Sequence, residues 1–330
     1  MNAPPLSVHL PVRNGGAFLR EAVESLRSQT FADFEILLVD DHSSDGAAEA
    51  VALLDPRIRL IPNEGTGVAD AANTALAHSR APLIARMDAD DVSAPRRFEK
   101  QVAYLRDHPD VDVVSCLVDI FGDRVDEGYR RYETWINGIV TRDEIRRNVF
   151  AESPIPNPTF LMRREVAERL GGWRDGDGPE DYDFWLRAWE EGVVMEKVPE
   201  VLYRWRDWSG RTTRNDDRYS TDAFLRCRTR SLARTVAKDA PVVIWGAGRN
   251  GRTLARLLEG EGAVVEAFID IDPRKIGGER RGKPVHAPAF AARTERVILA
   301  AVASRGAREE IGAALRGMGK VEGRDYWLVS

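Results

Sequence analysis

Arg86-Met87-Asp88-Ala89-Asp90-Asp91 places three carboxylates directly after an apolar segment, and this junction sets the architecture of the first half of the chain. The segment before it, Pro82-Leu83-Ile84-Ala85, has the composition of a buried strand. Carboxylates this close repel one another unless water or a cation neutralises them. Mg²⁺ and Mn²⁺ prefer oxygen ligands and keep coordination positions for substrate phosphates. The run therefore predicts a nucleotide diphosphate site at a strand end, and the alternative is a solvated acidic turn.

Length and composition limit the classes of protein to consider. A chain of 330 residues is long for a single core, so we expect two domains. The net charge of -5 leaves no basic surface for nucleic acid, and we expect none to bind. No run approaches the roughly 18 apolar residues that span a bilayer, and the start lacks a signal-peptide pattern. We therefore expect a cytoplasmic protein, at most peripherally associated with the inner face of the membrane. The two cysteines lack metal-ligand spacing and are expected to be reduced thiols.

Strands and helices alternate in the first half. Apolar runs at 6–12, 34–39 and 58–61 predict strands, with helices between them and a further helix at 67–78. This rhythm is typical of a parallel α/β sheet, in which ligands bind outside the carboxyl ends of the strands. The acidic residues that follow two of the strands should meet at that edge: Asp40, Asp41, Asp88 and Asp90.

Four motifs follow one another within the first 205 residues. They are Leu10-Pro11-Val12-Arg13-Asn14, Val39-Asp40-Asp41-His42-Ser43-Ser44-Asp45-Gly46, the run 86–91 with Pro95-Arg96-Arg97-Phe98-Glu99 behind it, and Gly178-Pro179-Glu180-Asp181-Tyr182-Asp183-Phe184-Trp185-Leu186-Arg187. In this order they resemble the family 2 glycosyltransferases. The resemblance implies, for residues 1–205, the GT-A fold of nucleotide-diphospho-sugar transferases, an α/β fold.

The resemblance also implies which residues hold the nucleotide. Asp40 and Asp41 would contact the base and ribose, and Pro11 and Arg13 would shape the same pocket. A carboxylate that accepts a hydrogen bond from a base N–H is reasonable chemistry. The alternative is that Asp41 only caps the helix that follows.

Asp88 and Asp90 match the metal and ribose motif of the family. The resemblance implies a divalent cation, Mg²⁺ or Mn²⁺, with Asp90 as the direct ligand. Relatives often carry an arginine near the nucleotide where this chain has Ala72, and we expect Arg86 to supply that charge. Asp91 is expected to hydrogen-bond nearby backbone instead.

Glu180 and Asp181 precede a predicted helix and follow a glycine-rich stretch. The family resemblance makes Asp181 the catalytic base, with Glu180 orienting the loop or the acceptor. A direct displacement needs one carboxylate to take the proton of the acceptor hydroxyl, and it inverts the anomeric centre. The alternative is plain helix capping and favourable interaction with the helix dipole.

The donor–acceptor junction is expected between these sites. Asn157 stands where many relatives have a histidine, and it can donate and accept hydrogen bonds but cannot titrate. Trp173 lies in a predicted loop and is a candidate for contact with an acceptor sugar, although most tryptophans belong to cores.

An arginine-rich helical linker is predicted at 206–238. Its excess positive charge could hold a diphosphate or an anionic acceptor. A solvated linker helix with one packed side is the favoured interpretation.

A smaller Rossmann-like α/β domain is predicted at 239–330. A strand leads into Gly246-Ala247-Gly248-Arg249-Asn250-Gly251, which opens a helix, and the next strand ends at Asp270. This is a complete dinucleotide-binding fingerprint that includes Gly246, Gly248, Gly251 and the acidic residue. The domain resembles the nucleotide-sugar-binding domains of bacterial sugar acyltransferases. Three roles stay open: a nucleotide or nucleotide-sugar accessory site, an interaction or homodimerisation module, and a redox domain.

The resemblances together imply a function. We expect an inverting, metal-dependent glycosyltransferase that moves a sugar from a nucleotide diphosphate donor to a hydroxyl of a glycan or lipid-linked acceptor in cell-surface polysaccharide synthesis. UDP-sugar is the commonest donor in the family. The alternatives are a bifunctional or redox protein that uses NAD(P) in the second domain, or a nucleotide-sugar-binding regulatory protein.

Overall fold

Two units make up the chain, each with its own sheet. The computed structural model describes residues 3–176, 178–304 and 306–329. The first unit comprises Met1–Ile145 and Pro154–Tyr219, and the second comprises Arg146–Ser153 and Ser220–Ser330. Residues 206–219 therefore belong to the first unit and residues 220–238 to the second.

The first unit contains a mixed sheet, which confirms the predicted α/β class. Its spatial order is β3-β2-β1-β4-β7-β6-β8-β5. Strands β3, β2, β1 and β4 are parallel, whereas β7 is antiparallel to both of its neighbours. The strands are β1 (Leu6–Val12), β2 (Phe34–Asp40), β3 (Ile58–Pro62), β4 (Leu83–Arg86), β5 (Val92–Ser93), β6 (Val113–Phe121), β7 (Leu161–Arg163) and β8 (Met195–Arg206).

Helices cover the sheet because each has an apolar stripe to bury. In the first helix the buried residues Leu19, Ala22, Val23 and Leu26 recur every three or four positions. The helices that begin in this unit are α1 (Gly16–Arg27), α2 (Ala47–Ala52), α3 (Val68–His78), α4 (Arg97–Asp107), α5 (Glu127–Asn137), α6 (Arg142–Asn148), α7 (Arg164–Arg169), α8 (Glu180–Glu190) and α9 (Thr212–Asn215), with short 3₁₀ turns at Asn157–Thr159 and Asp217–Tyr219.

The carboxyl ends of β1, β2 and β4 meet at one edge of this sheet. The Asp41 amide donates to the Val12 carbonyl at 2.8 Å, and the Met87 amide donates to the His9 carbonyl at 3.0 Å. The fully buried guanidinium of Arg97 donates from Nη2 to the Arg86 carbonyl at 2.8 Å. The acidic segments that follow these strands are thereby held side by side.

The second unit is built on a mostly parallel sheet. The spatial order is β11-β12-β10-β9-β13-β14, and only the short β11–β12 pair is antiparallel. The elements are α10 (Thr221–Arg234), β9 (Val242–Trp245), α11 (Arg249–Gly260), β10 (Val265–Ile269), β11 (Glu279–Arg280), β12 (Lys283–His286), β13 (Ile298–Ala300), α12 (Ala307–Gly317) and β14 (Tyr326–Leu328).

Residues 146–153 complete the core of this second unit. The Phe150 ring meets the Trp327 ring edge to face, with centroids 5.1 Å apart. The buried Arg228 donates from Nη1 to the carbonyls of Phe150 at 3.1 Å and Val329 at 2.8 Å. Within the described residues, no helix combines the length and apolar character required to cross a bilayer.

Candidate functional site

A cavity of about 550 Å³ opens where β1, β2 and β4 end. The start of α8 and the stretch 205–219 line it as well. Nine of the residues that the sequence singled out lie in its wall: Pro11, Arg13, Asp41, Arg86, Asp88, Asp90, Asn157, Glu180 and Asp181. The topology thus brings together residues that lie up to 170 positions apart, from Pro11 to Asp181.

The first acidic pair is split by the structure. Asp41 is 6% exposed, and its Oδ1 accepts hydrogen bonds from Asn63 Nδ2 at 2.7 Å and from the Gly67 amide at 3.0 Å. Arg13 Nη1 lies 3.8 Å from the other oxygen of Asp41. Asp40 accepts instead from the Ser43 amide at 3.1 Å and is not among the residues of the wall. Asp41 is therefore the member of the pair that faces the cavity.

Helix capping does not account for Asp41. The N-cap residue of α2 is Gly46, which has no side chain to offer. Asp45 supplies the nearest carboxylate, which accepts from the Ala47 amide at 3.1 Å. The hydrogen bonds of Asp41 run to the loop before α3 instead, so they hold together two sides of the cavity.

The acidic run after β4 divides by role. Arg86 is buried and donates from Nε to Asp88 Oδ1 at 2.8 Å. Asp90 Oδ2 accepts from Trp208 Nε1 at 2.8 Å, and burial together with the neighbouring Asp88 raises the pKa of Asp90. Asp91 is fully engaged with backbone and side chain, accepting from the Arg206 amide at 2.6 Å and from the Tyr203 hydroxyl at 2.9 Å. The cavity is left with Asp88 and Asp90.

These two carboxylates are hard oxygen donors of the kind that Mg²⁺ and Mn²⁺ take. Within residues 3–176, 178–304 and 306–329, no three His, Cys, Asp or Glu side chains are grouped so that they could hold a metal ion. Diphosphate oxygens are donors of the same chemical type as these carboxylates. The donor set therefore fits a cation that binds together with a nucleotide diphosphate.

Glu180 and Asp181 form the first turn of α8. Burial and the neighbouring Glu180 raise the pKa of Asp181 to about 8, and burial raises the pKa of Glu180 as well. The Tyr219 hydroxyl donates to Glu180 Oε2 at 2.7 Å. The N-cap residue of α8 is Pro179, which has no side-chain oxygen to offer. Capping does not require two adjacent carboxylates with raised pKa values, whereas sites of proton transfer often have them.

Asn157 lies in the wall with an unsatisfied acceptor. Its Oδ1 is buried and has no hydrogen-bond partner in the described part of the chain. A buried polar atom without a partner carries a free-energy cost that a ligand hydroxyl or amide would remove. The arrangement suits a donor group on a bound molecule.

Trp173 requires a correction. It is 3% exposed and stacks on Phe184, with ring centroids 4.7 Å apart and planes 12° apart. Asn73 fixes its backbone by accepting from the Trp173 amide at 2.9 Å and donating to the Trp173 carbonyl at 2.7 Å. Because the ring is buried among Phe184 and Phe160, it is not exposed to an acceptor sugar.

The stretch 205–219 is the part of the wall that sequence reasoning missed as a unit. It contributes Trp205, Trp208, Gly210, Arg211, Thr212, Thr213, Asp216, Arg218 and Tyr219. Arg214 anchors it through an ion pair of 2.6 Å with the fully buried Asp207. The density of tryptophan and arginine from 205 to 218 was the sequence signal that could have indicated a cavity wall. Sequence analysis instead predicted that residues 206–238 form a linker.

The four second-unit candidates lie near another cavity, of about 710 Å³. Gly246, Gly248 and Asp270 are in its wall. Gly251 is not among the residues of the wall and is a buried residue of α11.

The comparisons with known proteins identify the family of the chain. The family model described as Glycosyl transferase family 2 matches residues 7–171, half of the chain. This chain belongs to glycosyl transferase family 2. This family 2 glycosyltransferase is 34% identical over 244 residues to the EpsE protein of Bacillus subtilis (strain 168). The match covers 70% of this chain and 84% of EpsE. It is 29% identical over 192 residues to the amylovoran biosynthesis glycosyltransferase AmsE of Erwinia amylovora, covering 57% of this chain and 70% of AmsE.

Two solved structures support the fold of this glycosyltransferase. The Pyrobaculum calidifontis mannosyltransferase PcManGT, solved with GDP-Man and Mn²⁺, superposes with a TM-score of 0.51 at 23% identity, over 72% of this chain and 64% of that one. S. aureus TarS 1-349, solved with UDP-GlcNAc, superposes with a TM-score of 0.54 at 18% identity, over 79% of this chain and 71% of that one. The expected GT-A fold is confirmed. The family match ends before the sheet of the second unit begins.

Proposed function

We propose that this glycosyltransferase moves a sugar from a nucleotide diphosphate donor, UDP-sugar first among the candidates, to a hydroxyl of a glycan or lipid-linked acceptor, with inversion and with a divalent cation. The observation that carries the proposal is the cavity of about 550 Å³, whose wall combines Asp41, Asp88, Asp90 and Asp181. A role in polysaccharide synthesis agrees with the named role of AmsE, and the donors in the two solved structures are nucleotide sugars.

The nucleotide would bind at the ends of β1 and β2. Asp41 is held in place by Asn63 and the Gly67 amide, so its carboxylate is preorganised to accept from a base or ribose donor. Arg13, with its guanidinium largely exposed and 3.8 Å from Asp41, is available to the ribose or a phosphate.

Asp88 and Asp90 would hold the cation together with the diphosphate. When bound, the cation supplies charge neutralisation for the departing nucleotide diphosphate. Arg86 orients Asp88 through the 2.8 Å hydrogen bond from its Nε and pairs with its charge. Trp208 orients Asp90 through the 2.8 Å hydrogen bond from its Nε1.

Asp181 would take the proton of the acceptor hydroxyl. Its raised pKa makes it a stronger base than an exposed aspartate, which suits abstraction of a proton from an alcohol. Because a single displacement needs no protein nucleophile, one base at the acceptor side is sufficient. Glu180 is held by Tyr219 and would fix the turn that presents Asp181.

The test is donor turnover with and without Mn²⁺. Purified protein is given UDP-, GDP- and dTDP-sugars, and nucleotide release is measured beside thermal unfolding in UDP and Mn²⁺. Asp90→Asn should keep the fold while it weakens the joint stabilisation by Mn²⁺ and UDP, because ligands stabilise only the state that binds them. Asp33→Asn, an exposed aspartate in a loop before β2, is the matched control. Unchanged metal-linked stabilisation in Asp90→Asn would remove Asp90 from the site.

A further inference from the structure

The second unit contains a cavity at the place where parallel α/β sheets bind ligands. Its five parallel strands are ordered β12-β10-β9-β13-β14. From β9 the chain first adds strands on one side of the sheet, β10 and β12, and then on the other side, β13 and β14, so the switch point lies between β9 and β13. The cavity of about 710 Å³ lies beyond the carboxyl ends of β9, β10 and β13, where Trp245, Asp270 and Ala301 line it. Ligands of open α/β sheets bind at this switch point.

Three glycines lie in the turn after β9 and in the first turn of α11, and the absence of a side chain has a different physical reason at each. Gly246 has φ +118°, which side chains rarely adopt, and a Cβ there would lie 2.8 Å from Val302 Cγ2. A Cβ on Gly251 would lie 1.7 Å from the Gly246 carbonyl oxygen, so the helix packs against the turn only because that side chain is missing. The turn and the packing of α11 thus explain these two.

Gly248 is explained by neither reason. Its φ of -81° is open to any residue, and a Cβ would meet no side chain or backbone of the described residues within 4 Å beyond its immediate neighbours in the chain. The residue nevertheless lies in the cavity wall. The fold would accept a side chain here, whereas a ligand that approaches the backbone would not. In dinucleotide-binding turns the middle glycine has this role beside the diphosphate.

The charges around the turn suit a phosphate and a ribose. Asp270 is 6% exposed and accepts from the Ala247 amide at 2.9 Å, which ties the end of β10 to the glycine turn. Hydrogen bonds from the Asp272 amide and Lys275 outweigh burial and lower the pKa of Asp270. Lys275 Nζ lies 3.0 Å from Asp270 and brings a positive charge into the wall. The exposed Ile271, next in the chain, offers an apolar surface for a base.

We propose that the second unit binds a nucleoside diphosphate, with the phosphates at Gly248 and the ribose toward Asp270 and Lys275. This chemistry is shared by two sources, a nucleotide sugar and a nicotinamide dinucleotide. The proposal does not depend on sugar transfer by the first unit.

The test locates nucleotide binding on the full chain. Hydrogen–deuterium exchange is measured with UDP, UDP-GlcNAc, NAD⁺ and NADP⁺ as the probes, and affinities are measured by calorimetry. We expect at least one probe to slow exchange of the amides at 246–252. Protection by UDP-GlcNAc identifies the nucleotide-sugar source, and protection by NAD⁺ or NADP⁺ identifies the dinucleotide source. Peptides that contain 86–91 report the first unit separately, so failure of one site is distinguishable from failure of the other.

Gly248→Ala is the decisive variant, because the structure has room for its methyl group. It should weaken binding of that probe about ten-fold or more, with an unchanged unfolding temperature. Gly260→Ala, at the other end of α11 and also in open space, is the matched control and should bind as the wild type does. Lys275→Met is a second variant that removes the charge and leaves the residues of the glycine turn unchanged, and it should weaken binding as well. Absence of protection at 246–252 with all four probes, or protection that is equal in Gly248→Ala, would overturn the proposal.

Discussion

At the level of single residues, the proposed base Asp181 should lower the stability of the fold when it is ionised. It is a carboxyl group in a buried turn beside Glu180, and its pKa is raised to about 8. Asp181→Asn keeps the size and removes the base. With a known acceptor, turnover should fall by on the order of a hundredfold or more, while UDP binding stays nearly intact. Steady-state kinetics and UDP calorimetry on the same preparation check this. Full turnover in Asp181→Asn would mean that Glu180 or Asp183, and not Asp181, is the catalytic base.

Rising pH should increase the activity of the wild type and decrease the contribution of Asp181 to its stability. In the wild type a general base must be deprotonated, so turnover should rise with pH up to about 8. The folded pKa lies above the ordinary value of 3.8, so the folded state binds more protons than the unfolded state between about pH 4 and pH 8. Stability conferred by the neutral carboxyl is therefore lost as pH rises through that window. Asp181→Asn should unfold at a higher temperature than the wild type at pH 8, and equal unfolding temperatures would contradict the assigned burial.

Single residues also show how far sequence reasoning reached. Sequence reasoning placed Asp41, Asp88, Asp90 and Asp181 at one site because each follows a strand or opens a helix, and strand ends of a parallel sheet share an edge. The structure brings the four into the wall of one cavity, and their roles remain predictions. Asp40 and Asp41 were not separable in sequence, because which of two adjacent carboxylates turns toward the cavity depends on Asn63 and the Gly67 amide. Trp173 was misplaced since loop position says nothing about packing: Asn73, one hundred residues earlier in the chain, pins that loop into the core.

At the level of elements, the stretch 205–219 closes one side of the cavity and holds Glu180 through Tyr219. Tyr219→Phe removes only the hydroxyl that donates to Glu180 at 2.7 Å. Hydrogen bonds to charged groups contribute about 1.5–3 kcal/mol, so kcat should fall about ten-fold with little change in the KM for the donor. The hydrogen bond also lowers the pKa of Glu180, and the charge of Glu180 raises the pKa of Asp181, so loss of the hydrogen bond should shift the pH–rate profile of the base toward lower pH.

Tyr104→Phe is the control for this variant. Tyr104 also donates to a glutamate, Glu196, at 2.6 Å, but it lies outside the cavity wall. If the Tyr219 hydroxyl were purely structural, like that of Tyr104, both variants would lose stability and neither would change the pH–rate profile. If Tyr219→Phe leaves kcat and the profile unchanged, Tyr219 is not a positioning residue.

Elements also mark where sequence reasoning stopped. Strands and helices of the first half follow from periodicity, and the fingerprint after β9 follows from its glycines and spacing. The contribution of 205–219 to the cavity rests on contacts such as Trp208 with Asp90, which are 118 positions apart. No local pattern encodes such a contact, because arginine-rich and tryptophan-containing stretches are compatible with both a solvated linker and a cavity wall.

At the level of the whole molecule, the two units are interleaved in sequence. Residues 146–153 interrupt the first unit and belong to the second, where Arg228 and Trp327 contact Phe150. A domain boundary drawn at one position therefore separates segments that fold together. This matters for any attempt to isolate the transferase.

A chain that ends at Lys238 tests whether the second unit is needed for the chemical step. It retains every residue that lines the cavity of about 550 Å³, since the last of them is Tyr219. It loses Trp327 and the Val329 carbonyl, so Phe150 and Arg228 lose partners, and exposing a buried aromatic side chain costs about 1.5–3 kcal/mol. We expect a lower unfolding temperature but retained donor turnover. Circular dichroism must show a folded protein before activity is measured, and a chain that ends at Tyr219, the last residue of the first unit, serves as the comparison. If both truncated chains fold and neither releases nucleotide from a donor that the full chain uses, the second unit completes the active site, and the division of labour proposed for the two units is wrong.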